Sequence, residues 1–100
     1  MSFEEEESAV LGKIVLVGVT YYDSSGKELR RGQWWGRILA FNSKDGLRVD
    51  LSNKGQPHSF PPFLGILKPA EPGTYELRST GEQIEDPDLV YTIRSDQGAS

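Results

Sequence analysis

The fold is decided by the stretch KIVLVGVTYY at residues 13–22, which is rich in β-branched and aromatic side chains. Such a composition is typical of strands, because these side chains pack well on a pleated surface. The polar run DSSG follows at residues 23–26, and its glycine can adopt the positive φ of a tight turn. A second strand is predicted over residues 29–41, with a bend at Gly32 or Gly36. Together these segments predict the first hairpin of a β-sheet.

A third strand is predicted from LRVDL at residues 47–51, where apolar and polar side chains alternate without exception. The alternation indicates a strand with one buried and one exposed face. The turn sequences SKDG at residues 43–46 and NKG at residues 53–55 flank it. The first half of the chain therefore predicts a three-stranded antiparallel meander.

The second half of the chain predicts shorter elements. The prolines of residues 56–62 allow only a short edge strand, since proline lacks a backbone donor. Residues 63–67 predict a single helical or 3₁₀ turn that plugs one end of the core, and strands follow at residues 75–78 and 89–94. We therefore expect an all-β fold, a small SH3-like, partly open barrel of five or six antiparallel strands. An OB-fold is the alternative, but no full helix separates the third and fourth strands.

Length predicts a single domain, since 100 residues fall within the usual range for one. We assign residues 13–96 to the barrel and residues 97–100 to a frayed tail. The acidic segment of residues 1–12 is either flexible or a short helix. Ser2 and Glu5 have the spacing of a capping box, which would start a helix, but the run of glutamates is equally typical of a solvated tail.

Composition excludes several classes of protein. The chain has no cysteine, so it has no disulfide framework, thiolate metal site or cysteine nucleophile. It has no apolar run long enough to cross a membrane, and its acidic start is unlike a secretory signal. We expect a cytoplasmic protein with no membrane partner. The glutamates of residues 4–7 account for the net charge of −4, while bases concentrate in residues 27–54 and acids in residues 71–96.

Three segments carry a resemblance to a known group of proteins. They are GVTYYD at residues 18–23, PGTYELRSTGE at residues 72–82 and EDPD at residues 85–88. In these segments the chain resembles small bacterial proteins of SH3-like type, a group with no assigned activity. The resemblance spans about residues 18–93. It implies an SH3-like barrel and a bacterial origin, and it transfers no site residue.

No catalytic, metal or cofactor motif stands out. His58 is the only histidine, and its neighbour Ser59 would point to the opposite side of an extended chain. An acidic cluster near the end of the chain lacks the spacing of a calcium loop and is interpreted as a turn before the last strand: Glu82, Glu85, Asp86 and Asp88. We expect no enzymatic activity, no metal and no cofactor.

Aromatic and aliphatic side chains occur on both faces of the predicted strands. Neighbouring residues on a strand face opposite sides, so Trp34 and Trp35 cannot both lie in the core unless Gly36 marks a bulge. Strict alternation places Ile38 with Trp34, and Phe41 with Trp35. Apolar residues on both faces imply either a second covering layer or an exposed patch that meets a partner. The sequence leaves both alternatives open.

The exposed-patch alternative predicts a non-catalytic module that binds another protein, a peptide or a second copy of the chain. The candidate binding residues are Tyr21, Tyr22, Arg31, Trp35 and Arg37. Tyr, Trp and Arg are the types that most often dominate interface energies. One alternative is nucleic-acid contact through the basic hairpin of residues 27–54, which the neutral body and the acidic segments disfavour. Another is a protein that neutralises a toxin.

Overall fold

A computed structural model of the chain describes residues 2–51, 56–77 and 81–96. These residues form one helix and eight strands: α1 Phe3–Val10, β1 Ile14–Tyr22, β2 Glu28–Asn42, β3 Gly46–Leu51, β4 Pro57–Phe60, β5 Lys68–Pro69, β6 Thr74–Glu76, β7 Gln83–Glu85 and β8 Leu89–Asp96. Within the same residues, no helix is long and apolar enough to cross a membrane.

Six of the described strands form one sheet in the order β4-β3-β2-β1-β8-β5, and β6 pairs with β7 in a separate hairpin. The prediction of an all-β fold with one short helical element is confirmed. The antiparallel meander of β1, β2 and β3 is confirmed as well. The predicted turn of residues 53–55, the end of the predicted strand 75–78 at Arg78 and the predicted tail of residues 97–100 lie outside the described residues.

The last strand differs from the expectation of an all-antiparallel sheet, because β8 runs parallel to β1. After β3 and β4 the chain passes to the free side of β1 and enters the sheet there in the direction of β1. Asp88 fixes this register, since its N–H donates to Ile14 O at 3.0 Å and its carboxylate accepts from Ile14 N at 2.9 Å. The sheet is therefore mixed.

The core lies on the inner face of this curved sheet. Its most deeply buried side chains are Val15, Val17, Ile38, Phe41, Leu47, Val49, Leu51 and Tyr91. Curvature brings β4 to β8, although three strands separate them in the sheet order. The rings of Phe60 and Tyr91 lie 5.8 Å apart, and the Tyr91 hydroxyl donates to Pro61 O at 2.6 Å. Side chains rather than a ladder thus join the two sides of a partly open barrel.

A bulge in β2 corrects the alternation expected from the sequence. The pairing with β3 shifts between Ile38 and Ala40. This shift brings Phe41 to the inner face beside Ile38, and both are buried. Leu39 is left 42% exposed. Because the extra residue changes the parity of the strand, β2 contributes to the core both before and after the bulge.

Helix α1 begins with the capping box that the sequence indicates. Ser2 Oγ accepts from Glu5 N at 3.3 Å and lies 3.2 Å from Glu5 Oε1. The helix packs on β2 through Phe3, whose ring meets Phe41 edge to face at 5.4 Å, and through the buried Val10. The helix therefore covers one end of the inner face.

Two glutamates of α1 hold the helix in place. Glu7 Oε2 accepts from Phe41 N at 2.7 Å and from Asn42 Nδ2 at 3.1 Å. Glu6 Oε1 accepts from Gly65 N at 2.7 Å. Glu7 satisfies a backbone donor near the bulge and Glu6 one in the turn of residues 63–67, so part of the acidic run has a structural role.

Residues 63–67 form a hydrogen-bonded turn instead of the expected helical plug. Ile66 N donates to Phe63 O at 3.2 Å, and Gly65 adopts a φ of 77°. Phe63 is 54% exposed and Leu64 is 47% exposed, while Ile66 packs against the core. The prediction of a helical or 3₁₀ turn at residues 63–67 was wrong. The helix that covers this end of the barrel is α1.

The β6–β7 hairpin contributes a second, smaller layer. Leu77 and Ile84 are buried but lie outside the main core cluster. Trp35, on the outer face of β2, donates from Nε1 to Glu82 Oε2 at 3.2 Å. This bond ties the loop end of the hairpin to the outer face of the main sheet.

Two residues of the acidic cluster, Asp86 and Asp88, form hydrogen bonds that stabilise turns. Asp86 adopts a φ of 46°, in the left-handed region. It exchanges two bonds with Gly73, since Gly73 N donates to Asp86 Oδ1 at 2.8 Å and Asp86 N donates to Gly73 O at 2.8 Å. Asp86 and Asp88 thus shape the turn before β8, as the sequence indicates.

Candidate functional site: an aromatic groove at the open end

At the end of β1 remote from α1, the inner face is not covered. A groove of about 430 Å³ lies there, and Arg31 and Gly32 border it. Its other lining residues are Tyr21, Arg30, Trp34, His58 and Phe60. The register pairs Val17 with Trp34 and Tyr21 with Arg30, so alternation along two adjacent strands places these side chains on the inner face. We call this set the aromatic groove.

Gly32 determines how Trp34 lies in the groove. A β-carbon at Gly32 would overlap the six-membered ring of Trp34, so the absence of a side chain lets the indole lie along β2. Trp34 is half-buried against the core, and its ring lies 6.0 Å from that of Phe60. One face of the core thus remains open to solvent at Trp34.

Arg30 supplies positive charge at the edge of the groove. Its guanidinium lies 4.4 Å from the centroid of the Tyr21 ring, in a cation–π arrangement. Within the described residues Arg30 makes no salt bridge, whereas Arg31 pairs with Glu28 at 3.1 Å. An exposed, unneutralised guanidinium beside an apolar surface favours ligands that carry a carboxylate.

A second hollow of about 250 Å³ continues the groove toward β8. It shares Tyr21, His58 and Phe60 with the aromatic groove and adds Ile93 of β8. β8 pairs with β5 only through Leu89 and Val90, and beyond them no described strand pairs with that edge. We call the space between β4 and residues 91–94 the β4–β8 gap.

Tyr91 supports the base of this gap. Its side chain is fully buried, and burial raises the pKa of its hydroxyl to about 12. The hydroxyl therefore stays protonated at neutral pH and donates to Pro61 O at 2.6 Å. Its role is structural, because it holds the end of β4 against β8.

The structure brings together only some of the site residues expected from the sequence. Tyr21 and Arg31 border the aromatic groove. Tyr22 faces the opposite side of the sheet, where the Arg94 guanidinium lies 4.0 Å from its ring centroid. The other two expected residues, Trp35 and Arg37, lie further along β2.

Trp35 and Arg37 have partners of their own. Trp35 is half-buried and bonds to Glu82 of the small hairpin, and Arg37 donates to Gly12 O at 2.7 Å. The register pairs Trp35 with Leu16, six residues along β1 from Tyr22. That separation is about 20 Å at strand spacing, so the five expected residues do not form one patch.

The sequence-based selection missed Trp34, His58, Phe60 and Arg30. Gly-x-Trp at residues 32–34 is the signal that points to Trp34, because a glycine two positions away on the same face leaves room for an indole. His58 and Phe60 come from a different strand. Their proximity depends on the curvature of the sheet, which short-range patterns do not contain.

The basic residues of the 27–54 segment are distributed over several surfaces. Arg30 borders the groove, Arg37 bonds to a backbone carbonyl and Arg48 is exposed on the outer side of β3. Lys54 lies outside the described residues. Within residues 2–51, 56–77 and 81–96, no group of three or more His, Cys, Asp or Glu side chains could hold a metal ion.

In comparisons with known proteins, the chain matches no family model, no curated protein and no solved structure. The resemblance to small bacterial SH3-like proteins therefore stays a prediction. The aromatic groove and the β4–β8 gap are the structural features that bear on function.

Proposed function

We propose that this protein is a non-catalytic binding module that holds a peptide segment of another protein in the aromatic groove. One observation carries the proposal. Trp34 and Tyr21 lie on the same sheet face as the fully buried core, yet both remain partly exposed beside a groove of about 430 Å³.

The chemistry of the groove suits a peptide. Tyr, Trp and Arg are the residue types most enriched among interface residues that dominate binding energy. Aromatic rings offer a large contact area at a low entropic cost, because they have only two side-chain torsions. Arg30 adds an electrostatic preference for a carboxylate next to the apolar contacts. The preferred ligand is thus an apolar segment with an acidic residue or a terminal carboxylate.

The experiment is selection from a displayed library of short random peptides on the immobilised wild-type protein. The selected peptides are then measured by isothermal titration against Arg30→Glu and Arg48→Glu. Both variants make the same charge change at exposed arginines, but only Arg30 borders the groove. The expected result is a loss of at least about tenfold in affinity for Arg30→Glu, equal to about 1.4 kcal/mol. Arg48→Glu should bind like wild type.

Two outcomes would contradict the proposal. One is a library that yields no peptide with saturable binding. The other is a set of peptides whose affinity falls equally in Arg30→Glu and Arg48→Glu, since that pattern reports net charge instead of the groove. Circular dichroism of each variant shows that a loss of binding is not a loss of fold.

A further inference from the structure

We propose that the bound segment is an extended strand that enters the β4–β8 gap and pairs with the free edge of β8. This inference depends on the proposed function, because it specifies how the aromatic groove holds its peptide. The ligand class is a short extended segment with apolar residues at alternate positions and a carboxylate at the end that meets Arg30.

Part of one edge of β8 is not paired with any described strand. β8 spans Leu89–Asp96, pairs with β1 over this whole length and pairs with β5 only at Leu89 and Val90. From Tyr91 to Arg94 no described strand occupies its other side. An edge of this kind presents backbone donors and acceptors to a further strand. Peptide binding by strand addition uses such edges.

The opposite side of the gap is also an edge. β4 pairs only with β3 among the described strands. Phe60 and Pro61 meet Tyr91 at the base of the gap, where side chains already close the barrel. Beyond this contact the two edges are separated by the hollow of about 250 Å³. An inserted strand would therefore continue the barrel closure that these side chains begin.

The lining of the hollow predicts which side chains of the segment face inward. Val19, Tyr21, Ile93 and Phe60 border it from three strands and present apolar surface. Successive residues of a strand face opposite sides, so every second residue of the segment would contact this surface. The remaining residues would face solvent. An alternating apolar and polar sequence is expected for this reason.

Charge sets the composition at one end of the segment. Arg30 pairs with Tyr21 in the β1–β2 register and borders the aromatic groove, which adjoins the gap at Tyr21, His58 and Phe60. The groove thus has an apolar base and a positive rim. A carboxylate at this end of the segment would meet a guanidinium that forms no salt bridge within the described residues.

The test uses the strongest peptide from the displayed library, resynthesised with a single backbone N-methyl group at each position in turn. N-methylation removes one donor and blocks strand pairing at that position. Strand addition predicts a periodic result, with affinity losses of about tenfold or more at every second position and small effects between them. Amide exchange in the wild-type protein should also slow between Tyr91 and Arg94 when this peptide is bound.

The outcomes separate the two proposals. Uniform tolerance of N-methylation, with binding still lost in Arg30→Glu, would overturn strand addition and leave the groove as the binding site. Peptides that are insensitive to Arg30→Glu would overturn the proposed function itself. Light scattering of the peptide-free protein addresses a second copy as occupant. A concentration-dependent dimer that the peptide dissociates would overturn the assignment of the gap to another protein.

Discussion

The two ends of the inner sheet face differ in how they are covered. At one end, α1 packs Phe3 against Phe41, and Glu7 bonds to the backbone of β2. At the other end, Tyr21 and Trp34 continue the same face but border a groove open to solvent. We refer to these regions as the covered end and the open end.

The difference indicates a division of roles within one continuous surface. At the covered end Phe41 is fully buried, so its truncation removes burial and leaves a cavity. Tyr21 and Trp34 at the open end are partly exposed, so part of their apolar area can contact a ligand. We therefore expect stability to depend mostly on the covered end and binding to depend on the open end.

The largest stability effect is expected for Phe41→Ala at the covered end. Phe41 is fully buried at the contact between α1 and the bulge of β2. We expect the free energy of unfolding to fall by about 3–5 kcal/mol, measured by urea denaturation. Phe63→Ala is the matched control, because Phe63 is 54% exposed and its loss should cost about 0.5 kcal/mol or less. Equal losses of stability in the two variants would contradict the larger contribution of Phe41 to the fold.

A smaller loss is expected for Glu7→Ala, which removes the acceptor of Phe41 N and Asn42 Nδ2. A backbone donor near the core would lose its charged partner, at a cost of about 2 kcal/mol. Glu4→Ala removes the same charge from an exposed site and should be close to neutral. Thermal unfolding followed by circular dichroism distinguishes them. Similar melting temperatures for both variants would show that α1 is not held by Glu7.

Tyr91→Phe should cost about 1 kcal/mol, since it removes only the hydroxyl that donates to Pro61 O. This variant also has a pH signature. Burial raises the pKa of Tyr91 to about 12 from its ordinary value of 10.0, so between these values the unfolded chain loses a proton that the folded protein keeps. The Tyr91 contribution is complete below pH 10 and decreases as pH rises toward 12.

Denaturant titrations at alkaline pH measure this contribution. Wild type should lose stability more steeply than Tyr91→Phe in this pH range, and its advantage over the variant should disappear as the hydroxyl ionises. Parallel pH curves would mean that the Tyr91 hydroxyl is not buried at the base of the gap. The contact between β4 and β8 would then be more open to solvent than the structure shows.

The smallest stability effect is expected for Arg30→Glu at the open end. Arg30 is exposed and contacts the Tyr21 ring, so its replacement should change the free energy of unfolding by about 1 kcal/mol or less. Differential scanning calorimetry provides this value. A loss as large as that of Phe41→Ala would assign Arg30 to the fold and remove the basis for its binding role.

Local patterns were sufficient to predict the meander. The predicted strands at residues 13–22, 29–41 and 47–51 match β1, β2 and β3 to within one residue at each end. These strands are long or strictly alternating, and their partners are close in sequence. The capping box at Ser2 was also visible, because it depends on two residues at fixed spacing.

Long-range features could not be obtained in the same way. The parallel pairing of β8 with β1 joins residues more than seventy positions apart and is set by Asp88 at Ile14. The bulge at Ile38 reverses the expected side of Phe41. Of the residues that line the groove, the sequence predicted Tyr21 and Arg31. It did not predict Phe60 and His58, because they reach the groove only through the curvature of the sheet.

The central claim is that ligands bind at the open end, at the groove that Trp34 borders and Trp35 does not. Nuclear magnetic resonance titration with the strongest library-selected peptide tests it most directly, because the chain has two tryptophans and hence two indole N–H signals. Trp35→Phe assigns them. The account predicts that the Trp34 indole and the amides from Tyr91 to Arg94 shift on binding, while the Trp35 indole, bonded to Glu82, does not. Shifts confined to Trp35 and the small hairpin would contradict it.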